Sequence, residues 1–372
     1  MEVKYKFLDL ATVNARYAED LALMARRVIL SGRYVGGPEN DAFEKELAKA
    51  VGVPCAVGVS NGLDAIRLIL RAYMEEGFLA PGDEVIVPSD TYIATILAVL
   101  DNGLKPVFVE PRLDTFNIDS DLIERAITPR TRVILTVHLY GRIAYDEKMQ
   151  SVADRHGLRI VEDNAQAIGA VYSDGRPTGA LGHAAAFSFY PTKNIGALGD
   201  AGAVTTSHPE TAARVRALAN YGTDRTYHNI YKGLNCRLDP IQAAFLRLKL
   251  PRLDDESARR RKLAAAYSDA IVNPHVILPS DAGRAHVWHQ YVVRVSRRDH
   301  FRQFLLDRGV ETAVHYPTPP HLQPCMAEYA HLHLPVASQI AAEVVSLPVS
   351  ACTSLEDARA IAQIINQYSP SE

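Results

Sequence analysis

A single lysine in an otherwise uncharged segment is the most promising chemical group of this chain. Residues 187–196 read Phe-Ser-Phe-Tyr-Pro-Thr-Lys-Asn-Ile-Gly, and Lys193 is the one charged side chain among them. Lysine is seldom buried without a partner. In an apolar pocket, desolvation favours the neutral amine, which is a nucleophile. The segment therefore predicts a reactive lysine.

An acidic residue earlier in the chain supplies a second group. Residues 158–163 form an apolar strand pattern that ends in Glu162 and Asp163. Pyridoxal phosphate requires a lysine that forms a Schiff base and an acid that keeps the pyridine nitrogen protonated. Lys193 and Asp163 fit these two requirements. Together they predict a site for pyridoxal 5'-phosphate.

Alternating strand and helix patterns surround these residues. Short apolar runs predict buried strands, and amphipathic segments between them predict helices at 63–75, 91–102 and 146–156. Repeated β-α-β units give a mostly parallel sheet with helices on both faces. Ligands of such sheets bind beyond the carboxyl ends of the strands, where the Asp163 and Lys193 segments both lie. The predicted strands are 55–59, 84–88, 106–110, 132–138, 158–163, 184–189 and 202–206.

The pattern changes after about residue 250 in this 372-residue chain, a length that usually forms two domains. A charged helix pattern at 256–269 is followed by a strand at 289–295, a helix at 299–308 and a proline-rich loop at 315–324. A last helix is predicted at about 355–368. We expect a large cofactor-binding domain at 10–250. A smaller α+β domain is expected at 251–372, with residues 1–9 packed near it.

Composition and charge argue against several other classes of protein. A net charge of -3 gives no reason to expect nucleic acid or an anionic membrane as a partner. No apolar run approaches the length of a transmembrane helix, and residues 1–6 lack the apolar core of a signal peptide. The cysteines are scattered and form no metal-like pair. We expect a cytoplasmic protein with free thiols and no metal.

Two further segments bear on a phosphate group. Residues 60–65 leave a strand, turn at Gly62 and open a helix, and backbone N–H groups at a helix N-terminus bind phosphate. A simple capping turn, with Ser60 or Asn61 as the cap, explains the same pattern. Ser188 has a hydroxyl near Lys193 that is suited to the same phosphate. It is equally explained as a small polar residue in a strand.

Tyr92 and Gln166 are weaker candidates for the cofactor ring. Tyr92 follows a strand exit, where an aromatic side chain is able to stack on a planar cofactor. A buried core aromatic is the alternative. Gln166 lies shortly after Asp163 and has an amide that could bind the phenolic oxygen of the cofactor. A surface or helix-capping amide explains it as well.

Taken in order, these segments resemble the DegT/DnrJ/EryC1/StrS family of sugar aminotransferases, within fold type I of the pyridoxal phosphate enzymes. The resemblance covers nearly the whole chain. Besides the helix of Tyr92, the resembling motifs are SNGLDA (60–65), HLYG (138–141), EDNAQA (162–167), SFYPTKNIGALGD (188–200), GLNCRLDPIQAA (233–244) and HYPTPPHLQP (315–324). Two departures, Asn164 and Ala201, touch no group that carries the chemistry. Lys193 also argues against the relatives that carry histidine there and act as dehydratases.

The resemblance implies a role for each candidate residue. Lys193 forms the Schiff base and Asp163 holds the pyridine nitrogen. Gln166 lies near the phenolic oxygen, and Tyr92 stacks on the ring. It also implies that the phosphate is held by Gly62, Leu63 and Ser188, and by Asn235 from the neighbouring subunit of a homodimer with shared active sites.

The resemblance also implies the reaction, in which L-glutamate donates an amino group to a nucleotide-linked keto sugar. Residues 227–239 and 286–289 resemble the branch that aminates dTDP-linked 3-keto-6-deoxyhexoses. Relatives that act on 4-keto sugars linked to dTDP or UDP share most cofactor residues, so C-4 amination stays open.

The sugar contacts are also open. His315 and Tyr316 are candidates for contacts with the sugar or nucleotide, or simply parts of a loop packed between domains. Arg237 is suited to the diphosphate or the donor carboxylate, or to a salt bridge across the dimer.

A protein of another class, a non-enzymatic regulator built on the same fold, is the alternative to an enzyme. The presence of Lys193, Asp163 and Gln166 together favours the enzyme. No DNA-binding module is evident, and the net charge is slightly negative.

Overall fold

A computed structural model describes residues 3–370 of the chain. Seven strands form one sheet in the order β1-β7-β6-β5-β4-β2-β3. All neighbouring pairs are parallel except those of β7, which runs antiparallel to β1 and β6. The predicted α/β class with a mostly parallel seven-stranded sheet is confirmed. The strands are β1 Cys55–Val59, β2 Glu84–Pro88, β3 Lys105–Val109, β4 Thr131–Val137, β5 Arg159–Asp163, β6 Ala184–Ser188 and β7 Gly202–Thr206.

Helices cover both faces of this sheet, so its strands are buried on both sides. In β2, Val85 and Val87 belong to the core on one face, while Ile86 belongs to the core on the other. Such a strand has no polar face, which explains why its sequence is a continuous apolar run. The helices are α1 Leu10–Ala15, α2 Ala18–Ser31, α3 Pro38–Val51, α4 Gly62–Glu75, α5 Ile93–Leu100, α6 Ser120–Ile123, α7 Glu147–His156, α8 Pro209–Ala219 and α9 Pro240–Lys249.

A second apolar core lies in the C-terminal part of the chain. It is formed around the antiparallel pair β10 (Tyr291–Arg294) and β11 (Val344–Leu347) and includes Tyr267, Tyr291 and Phe301. The predicted domain boundary near residue 250 is compatible with these separate cores but stays a prediction. The remaining elements are the hairpin β8 Thr223–Arg225 and β9 His228–Asn229, then α10 Leu253–Ala270, β10 Tyr291–Arg294, α11 Arg298–Leu306, α12 Pro335–Glu343, β11 Val344–Leu347 and α13 Leu355–Ile365.

The first described residues of the chain pack against the C-terminal part. The backbone N–H groups of Lys4 and Tyr5 both donate to the carbonyl of Gly309 (3.0 and 2.8 Å). Residues 1, 2, 371 and 372 lie outside the described residues, and with them the outermost parts of the predicted domain at 251–372 and of its 1–9 extension. Among residues 3–370, no helix has the length and apolar character needed to cross a bilayer.

Candidate active site

One cavity of about 540 Å³ opens at the carboxyl edge of the sheet. β1, β2, β4, β5 and β6 are mutually parallel, so their carboxyl ends meet at this edge. The residues that follow or end those strands therefore come together, although they are far apart in sequence. Among the cavity residues are Gly62, Leu63, Tyr92, Asp163, Gln166, Ser188, Lys193, His315 and Tyr316.

Asp163 is the last residue of β5, and its carboxylate is held from two sides. The hydroxyl of Thr95 donates to Oδ2 (2.8 Å), and the backbone N–H of Ala165 donates to Oδ1 (3.2 Å). Burial raises the pKa of Asp163, while these two hydrogen bonds and the nearby Lys193 ammonium oppose that rise. A cationic ring nitrogen is the kind of partner that would offset the cost of burying this carboxylate.

The neighbouring Glu162 is also buried but points away from the cavity, because side chains alternate along a strand. Its carboxylate accepts three backbone N–H groups from residues 179–182, at 2.8 to 2.9 Å. It also accepts Nε2–H of His138 (2.9 Å). These hydrogen bonds stabilise the buried carboxylate and hold residues 179–182 against β5. Of the two acids, Asp163 is the one that faces the cavity.

Lys193 lies on the loop between β6 and β7. Its backbone N–H closes a turn on the carbonyl of Tyr190 (2.8 Å). Desolvation lowers the pKa of Lys193 to about 8, although Asp163 opposes this by favouring the ammonium. At pH 7 roughly a tenth of this amine is therefore neutral, far more than for an ordinary lysine, and the neutral form is the nucleophile.

Two side chains from α9 fix the path of the Lys193 loop. The Lys249 ammonium donates to the carbonyl of Gly196 (2.6 Å), and Gln242 Oε1 accepts the backbone N–H of Leu198 (2.8 Å). Each bond satisfies a loop backbone group that a regular strand or helix would otherwise satisfy. The loop is therefore held in one conformation from the large-domain side.

The N-terminus of α4 forms one end of the cavity. Asn61 caps this helix, with its side chain accepting the N–H of Asp64 (2.9 Å). The capping turn considered from the sequence is thus present, and Gly62 and Leu63 also line the cavity. A Cβ added to Gly62 would lie 2.7 Å from Cβ of Ser188. The absence of a side chain lets the helix N-terminus lie close to Ser188, and we call this part of the cavity wall the Gly62 cradle.

Gln166 connects three parts of the cavity wall. Its Oε1 accepts the backbone N–H of Tyr140 (2.6 Å), and its Nε2 donates to the hydroxyl of Tyr316 (3.1 Å). The rings of Tyr316 and Tyr92 lie 5.3 Å apart between centroids. Tyr92 keeps more than half of its surface exposed, so it is not the core aromatic considered as its alternative. His315 also lines this wall, and its Nδ1 bonds Ser346 Oγ (2.8 Å).

Asn235 and Arg237 do not line the cavity of their own chain. Asn235 is exposed, and its backbone forms an antiparallel bridge with Asn220. Arg237 donates to Oδ1 of the same Asn220 (2.9 Å), and its guanidinium lies over the ring of Tyr221 (5.6 Å). The single chain therefore gives neither residue a place in the site.

The cavity also contains residues that sequence reasoning missed. Thr95 binds Asp163 directly, and Thr91 bonds the Thr95 hydroxyl in turn (2.9 Å). His289 lines the wall beside Lys193. The spacing of Thr91 and Thr95, four residues apart on one face of a helix start, was the available signal for the first pair. For His289, the only available signal was its place in the segment 286–289, which gave no indication of a contact with the cavity.

The comparison with protein families identifies the chain. The model of the DegT/DnrJ/EryC1/StrS aminotransferase family matches residues 16–366. The chain belongs to this family. The resemblance stated from the motifs is confirmed, and so is the expectation of a transaminase rather than a regulator.

Two curated relatives illustrate the match. The dTDP-3-amino-3,6-dideoxy-alpha-D-galactopyranose transaminase of Aneurinibacillus thermoaerophilus is 47% identical over 97% of this chain and 99% of its own. The dTDP-3-amino-3,4,6-trideoxy-alpha-D-glucose transaminase of Streptomyces venezuelae is 48% identical over 92% and 90%.

Solved structures of the aminotransferase family share the fold. DesV of S. venezuelae, in complex with a ketimine intermediate, superposes with a TM-score of 0.94 at 46% identity and covers 98% of both chains. NtdA of Bacillus subtilis, with bound cofactor PMP, has a TM-score of 0.88 at 32% identity and covers 99% of this chain and 86% of its own.

The residues of this aminotransferase fit the cofactor that the family implies. The cradle beside Gly62 suits a phosphate, because a helix N-terminus and a hydroxyl converge there. Asp163 is a buried anion in need of a cation, and Lys193 is a buried amine with a lowered pKa. The cavity lies between these groups.

Proposed function

We propose that this aminotransferase uses pyridoxal 5'-phosphate to move an amino group from L-glutamate to the C-3 ketone of a dTDP-linked 3-keto-6-deoxyhexose. The product would be an amino deoxysugar nucleotide for glycan biosynthesis. The observation that carries the chemistry is the single cavity shared by Lys193, Asp163 and the Gly62 cradle. The choice of sugar and position is supported by relatives named as dTDP-3-amino sugar transaminases.

The proposed roles follow from the position of each side chain. When bound, pyridoxal phosphate supplies a positively charged ring that accepts carbanion electrons. Asp163 keeps the ring nitrogen protonated through an ion pair. Gly62, Leu63 and Ser188 hold the phosphate, and Tyr92 covers the ring.

Lys193 performs the proton transfers. Once its amine is free, it takes the proton from the α-carbon of the donor as a base. As an acid, it would then deliver that proton to a carbon of the cofactor rather than back to the donor. The pKa of about 8 suits both directions, because it lies within about one unit of neutral pH, so both the amine and the ammonium are populated. In the second half-reaction the same amine would deliver a proton to the sugar carbon that receives the nitrogen.

His315 and Tyr316 are proposed to contact the sugar nucleotide. Burial lowers the pKa of His315 to about 4, so its ring is neutral at working pH. Burial raises the pKa of Tyr316, so its hydroxyl keeps its proton. Both side chains therefore offer neutral hydrogen-bonding groups, which suit sugar hydroxyls better than an added charge.

We also propose a homodimer with shared active sites. Leu198 and small residues of α1 and α2 line an apolar groove, and Leu30, also on α2, is more than half exposed. An exposed apolar surface of this kind marks a protein interface. A two-fold partner could bring Asn235 and Arg237 to the cavity that they do not reach in their own chain.

A direct competition tests the proposed regiochemistry. The enzyme would receive L-glutamate with equal amounts of dTDP-linked 3-keto-6-deoxy and 4-keto-6-deoxy hexoses, and NMR would locate the new amine. We expect faster consumption of the 3-keto sugar, because displacing the ketone by one bond, roughly 1.5 Å, misaligns it with the amino group. Faster consumption of the 4-keto sugar would overturn the C-3 assignment and favour a 4-aminotransferase.

A further inference from the structure

His289 has an unusually well-fixed position in the cavity wall. The backbone on either side of it is tied to residues 140–141 by hydrogen bonds of 2.9 and 3.2 Å. On its other side, the buried Arg260 guanidinium donates to the carbonyls of Trp288 and His289 (3.1 and 3.3 Å). The side chain is almost fully buried and yet lines the cavity that contains Lys193. Its ring therefore has a defined place beside the reactive lysine.

The partners of the ring select one tautomer. His289 Nδ1 lies 2.9 Å from Oδ1 of Asn194, and an amide oxygen only accepts, so this contact favours the tautomer with the proton on Nδ1. Nε2 has the amide nitrogen of Gln290 at 3.5 Å, which is longer than a normal hydrogen bond, so that contact does not occupy its lone pair. The Asn194 contact therefore favours a neutral ring with its lone pair available on Nε2. Burial, helped by the Lys193 ammonium, keeps the pKa of His289 well below its usual range, so the ring stays neutral.

Asn194 directly follows Lys193 in the loop, so the histidine is coupled to the lysine through the chain as well as across the cavity. We propose that His289 is a positioning residue for Lys193. Asn194 fixes the ring so that Nε2 accepts a hydrogen bond from the Lys193 amine whenever that amine carries the transferred proton. This inference rests on the proposed function, in which Lys193 takes a proton from one carbon and later delivers it to another.

The other side chains that face Lys193 have different partners, so they do not supply this hydrogen-bond acceptor. Asp163 attracts the ammonium from β5, but under the proposed function its carboxylate pairs with the cofactor ring. His315, from the 315–324 loop, is neutral and bonds Ser346 through Nδ1. The cations near His289 are Lys193 and Arg260, and both disfavour a second proton on its ring. A neutral acceptor that cannot take the proton itself would leave that proton on Lys193.

Two substitutions separate the two ring nitrogens. His289→Asn places an amide near the position of Nδ1, keeps the contact with Asn194 and removes the group at Nε2. His289→Gln reaches the position of Nε2 and restores an acceptor there. His208→Asn is the matched control, because His208 is exposed and precedes α8, away from the cavity.

The primary readout is the protonation of Lys193 itself. Enzyme loaded with pyridoxamine phosphate, in which Lys193 is not linked to the cofactor, is acetylated over a range of pH, and modification of Lys193 is followed by mass spectrometry. The Lys193 pKa of loaded wild type, which is lowered to about 8 in the cofactor-free chain, is the reference for the variants. His289→Asn should lower this pKa by about one unit, the effect of one hydrogen bond to a charged group. His289→Gln and His208→Asn should stay close to wild type.

Steady-state kinetics give the second readout. In His289→Asn, kcat should fall by about tenfold, the rate equivalent of that one hydrogen bond. The KM for the keto sugar should stay within about twofold of wild type, since sugar binding is not involved. Equal falls in His289→Asn and His289→Gln, or a changed KM with kcat retained, would overturn the proposal in favour of a structural or sugar-binding role.

Asn194→Ala provides an independent route if His289→Asn does not fold. It keeps the imidazole but releases its tautomer, so a smaller fall in the Lys193 pKa is expected. An unchanged Lys193 pKa in whichever of these variants folds would refute the inference. The labelling needs no sugar, so a failure of the proposed substrate would be distinguishable from a failure of the His289 role.

Discussion

The hydroxyl of Thr95 provides a sharp test of how Asp163 is held. Thr95 is buried at the start of α5, and its Oγ1 donates to Asp163 Oδ2 (2.8 Å) while it bonds Thr91 (2.9 Å). Thr95→Val keeps the shape of the side chain and removes both bonds. Because the hydroxyl favours the ionised carboxylate, its loss should raise the pKa of Asp163 further and weaken its pairing with a cationic ring.

The expected size follows from the chemistry of that bond. A hydrogen bond to a charged group contributes about 1.5–3 kcal/mol. If that bond is lost from the cofactor complex, the Kd for pyridoxal phosphate should rise roughly 10- to 100-fold. The free energy of unfolding of the apoenzyme should fall as well, since Oδ2 of Asp163 loses a partner.

Thr136→Val is the matched control. Thr136 lies on β4, is fully buried, and its hydroxyl has no hydrogen-bond partner within the part of the chain that the structure describes. The same substitution there should leave the cofactor affinity unchanged. It should leave the free energy of unfolding unchanged or slightly increased. Absorbance titration of apoenzyme with cofactor and urea unfolding would measure both quantities. Equal cofactor affinities of the Thr95 and Thr136 variants would refute this account of Asp163.

Further predictions address the other parts of the site. Lys193→Ala should abolish turnover while keeping the fold, and steady-state assay with circular dichroism checks this; full activity would remove Lys193 from its role. Capture of added cofactor by wild-type apoenzyme, followed by absorbance, should speed up as pH rises through about 8 and then level off, because only the neutral Lys193 amine attacks; a rate that is flat across this range would contradict the lowered pKa. Gly62→Ala should weaken cofactor binding roughly tenfold or more in equilibrium titration, since its Cβ would lie 2.7 Å from Cβ of Ser188 and relieving such overpacking typically costs about 1–3 kcal/mol; unchanged affinity would place the phosphate elsewhere. Mixing inactive Lys193→Ala with inactive Asn235→Asp protein should restore part of the activity if subunits exchange, because one site of each heterodimer receives both native residues, whereas a monomer by light scattering would rule this out.

The sheet was predictable from sequence because its strands are buried on both faces. Each strand reads as an apolar run bounded by polar or turn residues, and the predicted strand 202–206 coincides with β7 Gly202–Thr206. The antiparallel direction of β7 was not predictable, because a buried strand has the same pattern in both directions. The helices between residues 10 and 51 were also missed. In α2, Leu23 and Ile29 are more than half exposed, which blurs the amphipathic pattern.

The site itself was only partly predictable. Asp163 ends a strand and Lys193 follows one, and each is an ionisable side chain in an apolar or uncharged segment, so the local sequence indicates them. Thr95 and His289 act through contacts across 68 and 95 residues of chain, with Asp163 and Asn194. Such contacts depend on tertiary packing and leave no local pattern. Asn235 and Arg237 are recognisable by motif, but their proposed role needs a second subunit.

The most direct test of the central claim follows the nitrogen atom itself. The enzyme, loaded with pyridoxal phosphate, would be incubated with [15N]-L-glutamate and a dTDP-linked 3-keto-6-deoxyhexose, with Lys193→Ala as the control. We predict that wild type places 15N on C-3 of the sugar, detected by NMR as a nitrogen-coupled carbon, and that the variant places none. A wild-type enzyme that binds the cofactor and consumes glutamate but leaves no 15N on any sugar carbon would contradict the proposed amino transfer to a sugar nucleotide.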